Sequence, residues 1–274
     1  MNGFRAAITA WLLRNGLQVL ILLVGLGVVF MGLMELTRIT RDKVRDSDRY
    51  TTLFRDIDCT PPPEKSRADF LNEVRYLSDF PEKLRFLDED LQERLYKAFG
   101  QHPWVDKVER VEMVPPRLIH VSLVYRTAVL AVMREEEGSS RLIGVADRRG
   151  IVLPASAYSK ELPAFEGGKN PAGRAGTLWG DDGVTAAART AWYLRPHQDK
   201  LHVTGFKAVG NGLVIATRDG ASILWGRAPG LEEPGEAPAS KKVERLLKYC
   251  SEKSPDKQAS APGYDVRPLK ERSR

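Results

Sequence analysis

Residues 102–132 read HPWVDKVERVEMVPPRLIHVSLVYRTAVLAV, and this stretch indicates the architecture on either side of it. Two runs rich in β-branched residues, Val108–Val114 and Leu118–Val124, flank the pair Pro115-Pro116. In the second run apolar residues occupy every second position, at 119, 121 and 123, which is the spacing of a strand with one buried face. The stretch therefore predicts two strands joined by a proline-containing turn.

The preceding residues predict one strand and two helices. A strand is expected near residues 50–59, where Pro61-Pro62-Pro63 follows and ends it. Apolar residues at 70, 71, 74 and 77 have helical spacing, and a second helix is expected from Asp88, a candidate N-cap, to Phe99. The resulting order is β-α-α-β-β, which is enough for a small domain with its own core.

The following residues predict strands and hairpins. An Asp147-x-x-Gly150 turn separates two short apolar strands, and Asn211-Gly212 and Asp219-Gly220 divide residues 201–225 into three strands. Helices are expected over 184–194 and 241–253. The Gly-rich segment 166–183 lacks the Gly-Lys-Ser/Thr ending of a phosphate loop, and a surface insertion is expected there.

An uncharged apolar stretch runs from Asn15 to Met34. At about 1.5 Å per residue it would extend roughly 30 Å, the thickness of a bilayer's hydrocarbon core. It is longer than the apolar part of a signal peptide, and Glu-Leu-Thr-Arg follows it. The sequence therefore predicts an uncleaved transmembrane helix over 15–36. Lys and Arg on both sides leave its orientation undecided by charge.

The net charge of +6 is concentrated at the two ends of the chain. Residues 1–45 hold six Lys/Arg against two acidic residues, and residues 267–274 hold four against one. The body between them is near neutral, which argues against a broad nucleic-acid-binding face.

No pattern of catalytic, metal-binding or cofactor-binding residues is visible. The four histidines and the two cysteines, Cys59 and Cys250, have none of the spacings of a zinc site, and there is no Gly-x-Ser-x-Gly motif. A disulfide between the two cysteines is conceivable, but two separately buried thiols are the preferred interpretation. We expect no enzyme activity, no cofactor and no metal.

Four motifs in order resemble those of the FtsQ/DivIB-type bacterial cell-division proteins. Pro103-Trp104-Val105, Pro115-Pro116 and the segment around Arg126 are similar to that family's polypeptide-transport-associated (POTRA) module, although Tyr-Arg-Thr-Ala-Val-Leu stands where the family has Glu-Arg-x-Pro-Val-Ala. The final Tyr264-Asp-Val-Arg-Pro268 is similar to the family's closing strand, with Pro268 replacing a Tyr.

The resemblance implies an α+β fold with a transmembrane helix, a POTRA module and a mostly antiparallel β-domain with flanking helices. The expected boundaries are a cytoplasmic tail at 1–14, the helix at 15–36, the POTRA module at 50–127, the β-domain at 128–268 and a basic tail at 269–274. The POTRA signature residues Pro103, Trp104, Val105 and Arg126 are expected to be mainly structural, with partner binding the alternative for Trp104.

The resemblance also implies a function. The chain would be a non-enzymatic scaffold of the inner membrane, with its domains in the periplasm, that collects FtsB/FtsL-like partners at the division septum. The last strand is where that family captures FtsB, so Tyr264, Asp265, Val266 and Arg267 are the expected partner-binding residues, unless Asp265 and Arg267 only stabilise the sheet. Two alternatives remain: a POTRA-bearing envelope transport or assembly factor, and a membrane-tethered envelope enzyme. Self-association is left undecided.

Overall fold

The computed structural model describes residues 20–35 apart from 22, 48–136 apart from 64, 138–252, and 264–268. The predicted tails at 1–14 and 269–274 lie outside the described residues, as do residues 15–19 and 36 of the predicted transmembrane helix. The described residues form an α+β fold with three sheets and two hydrophobic cores.

The first core belongs to residues 50–125. Its strands are β1 (Thr51–Leu53), β2 (Asp58–Cys59), β3 (Lys83–Arg85), β4 (Val105–Val114) and β5 (Leu118–Tyr125), and its helices are α2 (Arg67–Ser78) and α3 (Leu91–Gly100). The strands β4 and β5 form the predicted hairpin, and β2 joins it parallel to β5. Both helices bury their apolar stripes, including Phe70 and Leu95, against this sheet and its connections. Helix α2 begins after Ser66, whose hydroxyl caps the Asp69 N–H.

The second core is built on an eight-stranded sheet. Its strands are β6 (Ala128–Glu136), β7 (Ser139–Asp147), β8 (Val152–Leu153), β9 (Ala164–Glu166), β10 (Val203–Val209), β11 (Gly212–Thr217), β12 (Ser222–Gly226) and β13 (Tyr264–Asp265). The order across the sheet is β13-β12-β11-β10-β9-β6-β7-β8. The sheet is mixed, because β9 is parallel to both of its neighbours and β13 is parallel to β12.

Three helices accompany this sheet: α4 (Asp182–Leu194), the single turn α5 (Gln198–Leu201) and α6 (Ala239–Glu252). Asp181 caps α4 by accepting the N–H groups of Gly183 and Val184. The small residues Ala187 and Ala188 are fully buried, which lets α4 pack closely on the sheet. Helix α6 buries Val243 and Leu246 in the same core.

The prediction of a transmembrane helix is wrong. The described helix at the N-terminal end, α1, covers residues 20–35 apart from 22. Among the described residues, no helix combines the length and the apolar character that crossing a membrane requires.

Several strands and one buried residue differ from the sequence-based expectation. The single strand expected near residues 50–59 is two strands, β1 and β2, in different sheets, and β3 between the two helices was not expected. Strands β6 and β9 were not expected, and β9 converts an antiparallel meander into a mixed sheet. The Gly-rich segment 166–183 is more than a surface insertion, because the Trp179 ring is fully buried in the second core. Its indole N–H donates to the Lys169 carbonyl at 2.8 Å, which folds the segment back on itself.

Candidate partner-binding edge

The strand β13 lies at one end of the eight-stranded sheet. The turn at Gly210-Asn211, one residue before the expected one, and the turn that contains Asp219-Gly220 fold β10, β11 and β12 into a meander, and β13 adds to the outer side of β12. Tyr264 is paired with Ile223 and Asp265 with Leu224, and the Val266 N–H donates to the Leu224 carbonyl at 3.2 Å. Among the described residues, β13 is therefore the outermost strand at this end.

Helix α6 holds β13 in place. The Tyr264 ring stacks on Tyr249 of α6 with centroids 4.4 Å apart, and the Val266 side chain is fully buried. The guanidinium of Arg245 donates to the carbonyls of Val266, at 3.0 Å, and Pro268. Of the four predicted partner-binding residues, Val266 thus lies in the core and Tyr264 packs against it.

The loop between β12 and α6 covers the end of the same strand. The Ala237 N–H donates to the Arg267 carbonyl at 2.7 Å. The backbone of Glu236 pairs with that of Pro268 in an isolated antiparallel β-bridge. The carboxylate of Glu236 accepts from the fully buried Lys242 ammonium at 2.6 Å. The same ammonium donates to the Arg227 carbonyl at 3.2 Å and lies 5.1 Å from the Trp225 ring centroid. This buried pair fixes the loop beside β13.

Asp265 and Arg267 are the exposed members of the edge. The Arg267 Nε donates to Asp265 Oδ1 and its Nη2 to Asp265 Oδ2, both at 2.8 Å. The Arg267 backbone N–H also donates to Asp265 Oδ1, at 3.0 Å. These hydrogen bonds from the guanidinium to Asp265 raise the pKa of Arg267, so its charge is permanent and its orientation is fixed.

A groove of about 300 Å³ lies beside the Arg267 side chain. Apolar Leu213 and Leu224 line it together with Arg227 and Glu233. Gly226 lets the Arg267 side chain lie close to the backbone of β12, because a Cβ at this position would lie 3.0 Å from the Arg267 Cγ and Cδ atoms. The φ of Gly226, +85°, also favours glycine. The edge therefore offers one fixed cation next to a small cavity of mixed polarity.

The predicted POTRA signature residues lie together at a different place, where the two cores meet. The Arg126 Nη1 donates to Asp147 at 2.9 Å and to Asp106 at 3.2 Å, and Asp106 also pairs with Arg148 and Arg149. Val105 is buried in the first core, and Pro103 precedes Trp104 in the tight turn after α3. These residues connect the two cores and do not touch β13.

His102 orients the start of this turn. Its Nδ1 accepts the Trp104 N–H at 3.3 Å, which leaves the proton on Nε2 to donate to Glu73 at 3.1 Å. Burial lowers the pKa of His102, and this effect outweighs the opposing attraction of Glu73. The pKa of Glu73 is also lowered: partial burial is the largest single influence and opposes ionisation, but the hydrogen bonds and charges of Lys65 and His102 together exceed it.

The described residues contain no group of three or more His, Cys, Asp or Glu placed to hold a metal ion. Burial raises the pKa of the Cys59 thiol to about 11, so the thiol stays protonated at neutral pH. Cys59 belongs to the first core and Cys250 packs against the second, and they form no disulfide with each other.

Three residues important to the edge were missed from the sequence: Glu236, Lys242 and Arg245. One signal was present, because Lys242 is four residues before Leu246 and eight before Cys250, on the buried stripe of α6. A lysine on that stripe requires a buried anion. No model of a known protein family matches the sequence, and no curated protein sequence is significantly similar to it.

Proposed function

We propose that this chain is a non-enzymatic scaffold of the bacterial division apparatus. Its two folded units would lie in the periplasm and collect FtsB/FtsL-like division proteins at the septum. The order of the sequence motifs supports this proposal, as does the three-stranded sheet β2-β5-β4, in which both helices lie in sequence between β2 and the β4–β5 hairpin. The observation that carries the proposal is the position of β13 at the end of the sheet, with Arg267 exposed two residues after it.

The edge would bind its partner mainly through Arg267. The guanidinium is already held in one orientation by Asp265, so a partner carboxylate that replaces Asp265 finds an ordered donor and loses less entropy on binding. The adjoining groove would accept an apolar side chain of the same partner beside Leu213 and Leu224. A charged contact next to an apolar one is a common arrangement at protein interfaces.

The loop between β12 and α6 limits how the partner can approach. Because Ala237 donates to the Arg267 carbonyl, a partner strand cannot extend the sheet along this part of the edge without displacing the loop. Contacts to the Arg267 side chain and the groove avoid that cost. The buried Glu236–Lys242 pair opposes displacement of the loop.

The test is localisation combined with depletion. A fluorescent fusion expressed from the native locus should concentrate at the division site, and depletion should produce filaments without septa. The full-length chain should also retain the FtsB-like protein of the same bacterium in a pull-down. A uniform signal throughout the cell cycle, with normal division after depletion, would overturn the proposal.

A further inference from the structure

The strand β4 has an unpaired outer side. The first sheet has the order β2-β5-β4, and among the described strands β5 alone pairs with β4. A groove of about 810 Å³ runs along this side, between residues 109–114 of β4 and helix α3. The Gln92 amide of α3 donates to the Val111 carbonyl at 2.8 Å, and both residues line the groove. An outer strand of ten residues presents backbone N–H and C=O groups that can pair with another strand.

The centre of β4 has a charge pattern that is complementary to itself. Residues 107–112 read Lys-Val-Glu-Arg-Val-Glu. Two copies of this segment can run antiparallel about a centre between Glu109 and Arg110. Lys107 then lies opposite Glu112 of the second copy, Glu109 lies opposite Arg110, and the two valines oppose each other. Each of the two charged pairs forms twice, which gives four pairs of opposite charge and none of like charge.

The two faces of the strand agree with this pairing. Val108 and Val111 are buried in the first core, while the four charged residues of the segment are exposed or half-buried. Residues that oppose each other in the pairing therefore lie on the same face of the sheet. The register with β5 shifts between Val108 and Arg110, where Glu109 is the additional residue. Such a bulge usually protects an outer strand, but here the bulges of the two copies lie opposite each other, so both strands stay in register.

The charged side chains of the segment are available for contacts between copies. Lys107 and Glu109 form no ion pair with a described residue. Arg110 pairs with Glu112 on its own strand at 2.7 Å, and its side chain is 73% exposed. An exposed pair of this kind contributes little to stability, so Arg110 can contact a second carboxylate at small cost.

We infer that β4 pairs antiparallel with β4 of a second copy and joins the two first sheets into one continuous sheet. The Val111 carbonyl accepts an N–H of the second strand, and the Gln92 hydrogen bond can persist because a carbonyl oxygen has two lone pairs. The contact is two-fold symmetric and closed, so association stops at the dimer. Because six residues on each side form a small interface, we expect a weak, micromolar dimer. The pairing does not involve β13 and is independent of the partner proposed there.

Charge reversal tests both the dimer and its register. Sedimentation velocity of the full-length chain should show a monomer–dimer equilibrium, measured in a non-ionic detergent that covers the exposed apolar residues of α1. Glu109→Arg and Arg110→Glu should each weaken the dimer at least tenfold, because each variant places like charges opposite each other at two symmetry-related positions. Arg189→Glu, the same reversal on the exposed face of α4, is the control and should leave the equilibrium unchanged.

A mixture of the two variants provides the sharpest comparison. When a Glu109→Arg chain pairs with an Arg110→Glu chain, each arginine again faces a glutamate, so the mixture should dimerise within about threefold of the unmodified chain. A misfolded variant would not recover on mixing. An unmodified chain that stays monomeric at about 1 mM overturns the pairing. Single variants that dimerise as tightly as the unmodified chain, or a mixture that stays monomeric, overturn the register, and assemblies larger than a dimer overturn the symmetry.

Discussion

The Arg267 guanidinium and the carboxylate of Asp265, the last residue of the edge strand β13, form two hydrogen bonds of 2.8 Å each. Both side chains stay partly exposed, at 48% and 35%. An exposed pair of this kind contributes little to stability. It does hold the cation ready for another carboxylate, and this distinguishes the proposed role in binding from a purely structural role.

The two members of this pair should have opposite effects on the FtsB-like partner. Arg267→Ala removes the donor and should weaken binding at least tenfold, because hydrogen bonds to charged groups contribute about 1.5–3 kcal/mol. Asp265→Ala removes the competing carboxylate and should preserve or increase the affinity. Titration calorimetry with the purified partner measures both, and Arg218→Ala, on the exposed turn after β11, is the control. Equal losses of affinity in Arg267→Ala and Asp265→Ala would contradict the competition between Asp265 and the partner's carboxylate for the guanidinium.

Gly226→Ala should destabilise the edge more than an alanine at another glycine of similar φ. A Cβ at Gly226 would collide with the Glu236 carboxylate and press on Arg267, whereas Gly230, with φ +79°, has nothing within 4 Å. The left-handed conformation alone costs about 1–2 kcal/mol. Gly230→Ala should show only that cost in urea unfolding, and Gly226→Ala about 3 kcal/mol or more. Equal losses of unfolding free energy in Gly226→Ala and Gly230→Ala would show that Glu236 and Arg267 can move aside without a cost in stability.

Lys242→Met should lower the free energy of unfolding by about 3–5 kcal/mol, because it leaves the Glu236 carboxylate nearly buried without its cation. The double variant Lys242→Met/Glu236→Gln should recover a part of this loss. Lys241→Met, at the exposed neighbouring position, should change stability by no more than about 0.5 kcal/mol. Chemical denaturation of the four proteins provides the comparison, and a harmless Lys242→Met would show that the pair does not fix the loop.

His102 should make stability fall in mildly acidic solution. Its pKa is lowered in the folded chain and lies near 6.5 in the unfolded chain, so below about pH 6.5 the unfolded state binds a proton that the folded state does not. The free energy of unfolding therefore decreases as the pH falls through this range. The lowered pKa of Glu73 acts at lower pH, below about 4.5.

Urea unfolding between about pH 7 and pH 5 measures this dependence, and His102→Gln should reduce its slope. An NMR titration of the His102 ring should give a midpoint below about 6.5. A midpoint above that value would contradict the dominance of burial over the attraction of Glu73.

Much of the fold could be predicted because its signals are local. The turn residues Asn211-Gly212 and Asp219-Gly220 identified the meander, and the apolar spacing in 67–78 and 91–100 identified two helices. The proline-containing turn between β4 and β5 lies where it was expected, whereas the turn after β11 contains Asp219-Gly220 but is longer than two residues.

The errors come from signals that are not local. Strand β9 has three residues, too few for a period, and only its two parallel neighbours define it. Trp179 is buried although its surroundings are rich in glycine, because the segment folds back on the second core. The apolar run at 20–35 gives a helix, but among the described residues no helix has the length and apolar character that crossing a membrane requires. The Arg126–Asp147 and Lys242–Glu236 pairs depend on tertiary contacts that spacing does not encode.

The three residues of β9 have a mechanical consequence for a scaffold. Among the strands that the structure describes, β9 alone joins β10–β13 on one side of the sheet to β6–β8 on the other. A pulling force applied by a partner at Arg267 therefore reaches the Arg126 junction through Ala164–Glu166, and hydrogen bonds to both neighbours share that load. The three-residue strand that joins the two parts of the sheet thus limits how much tension the sheet withstands.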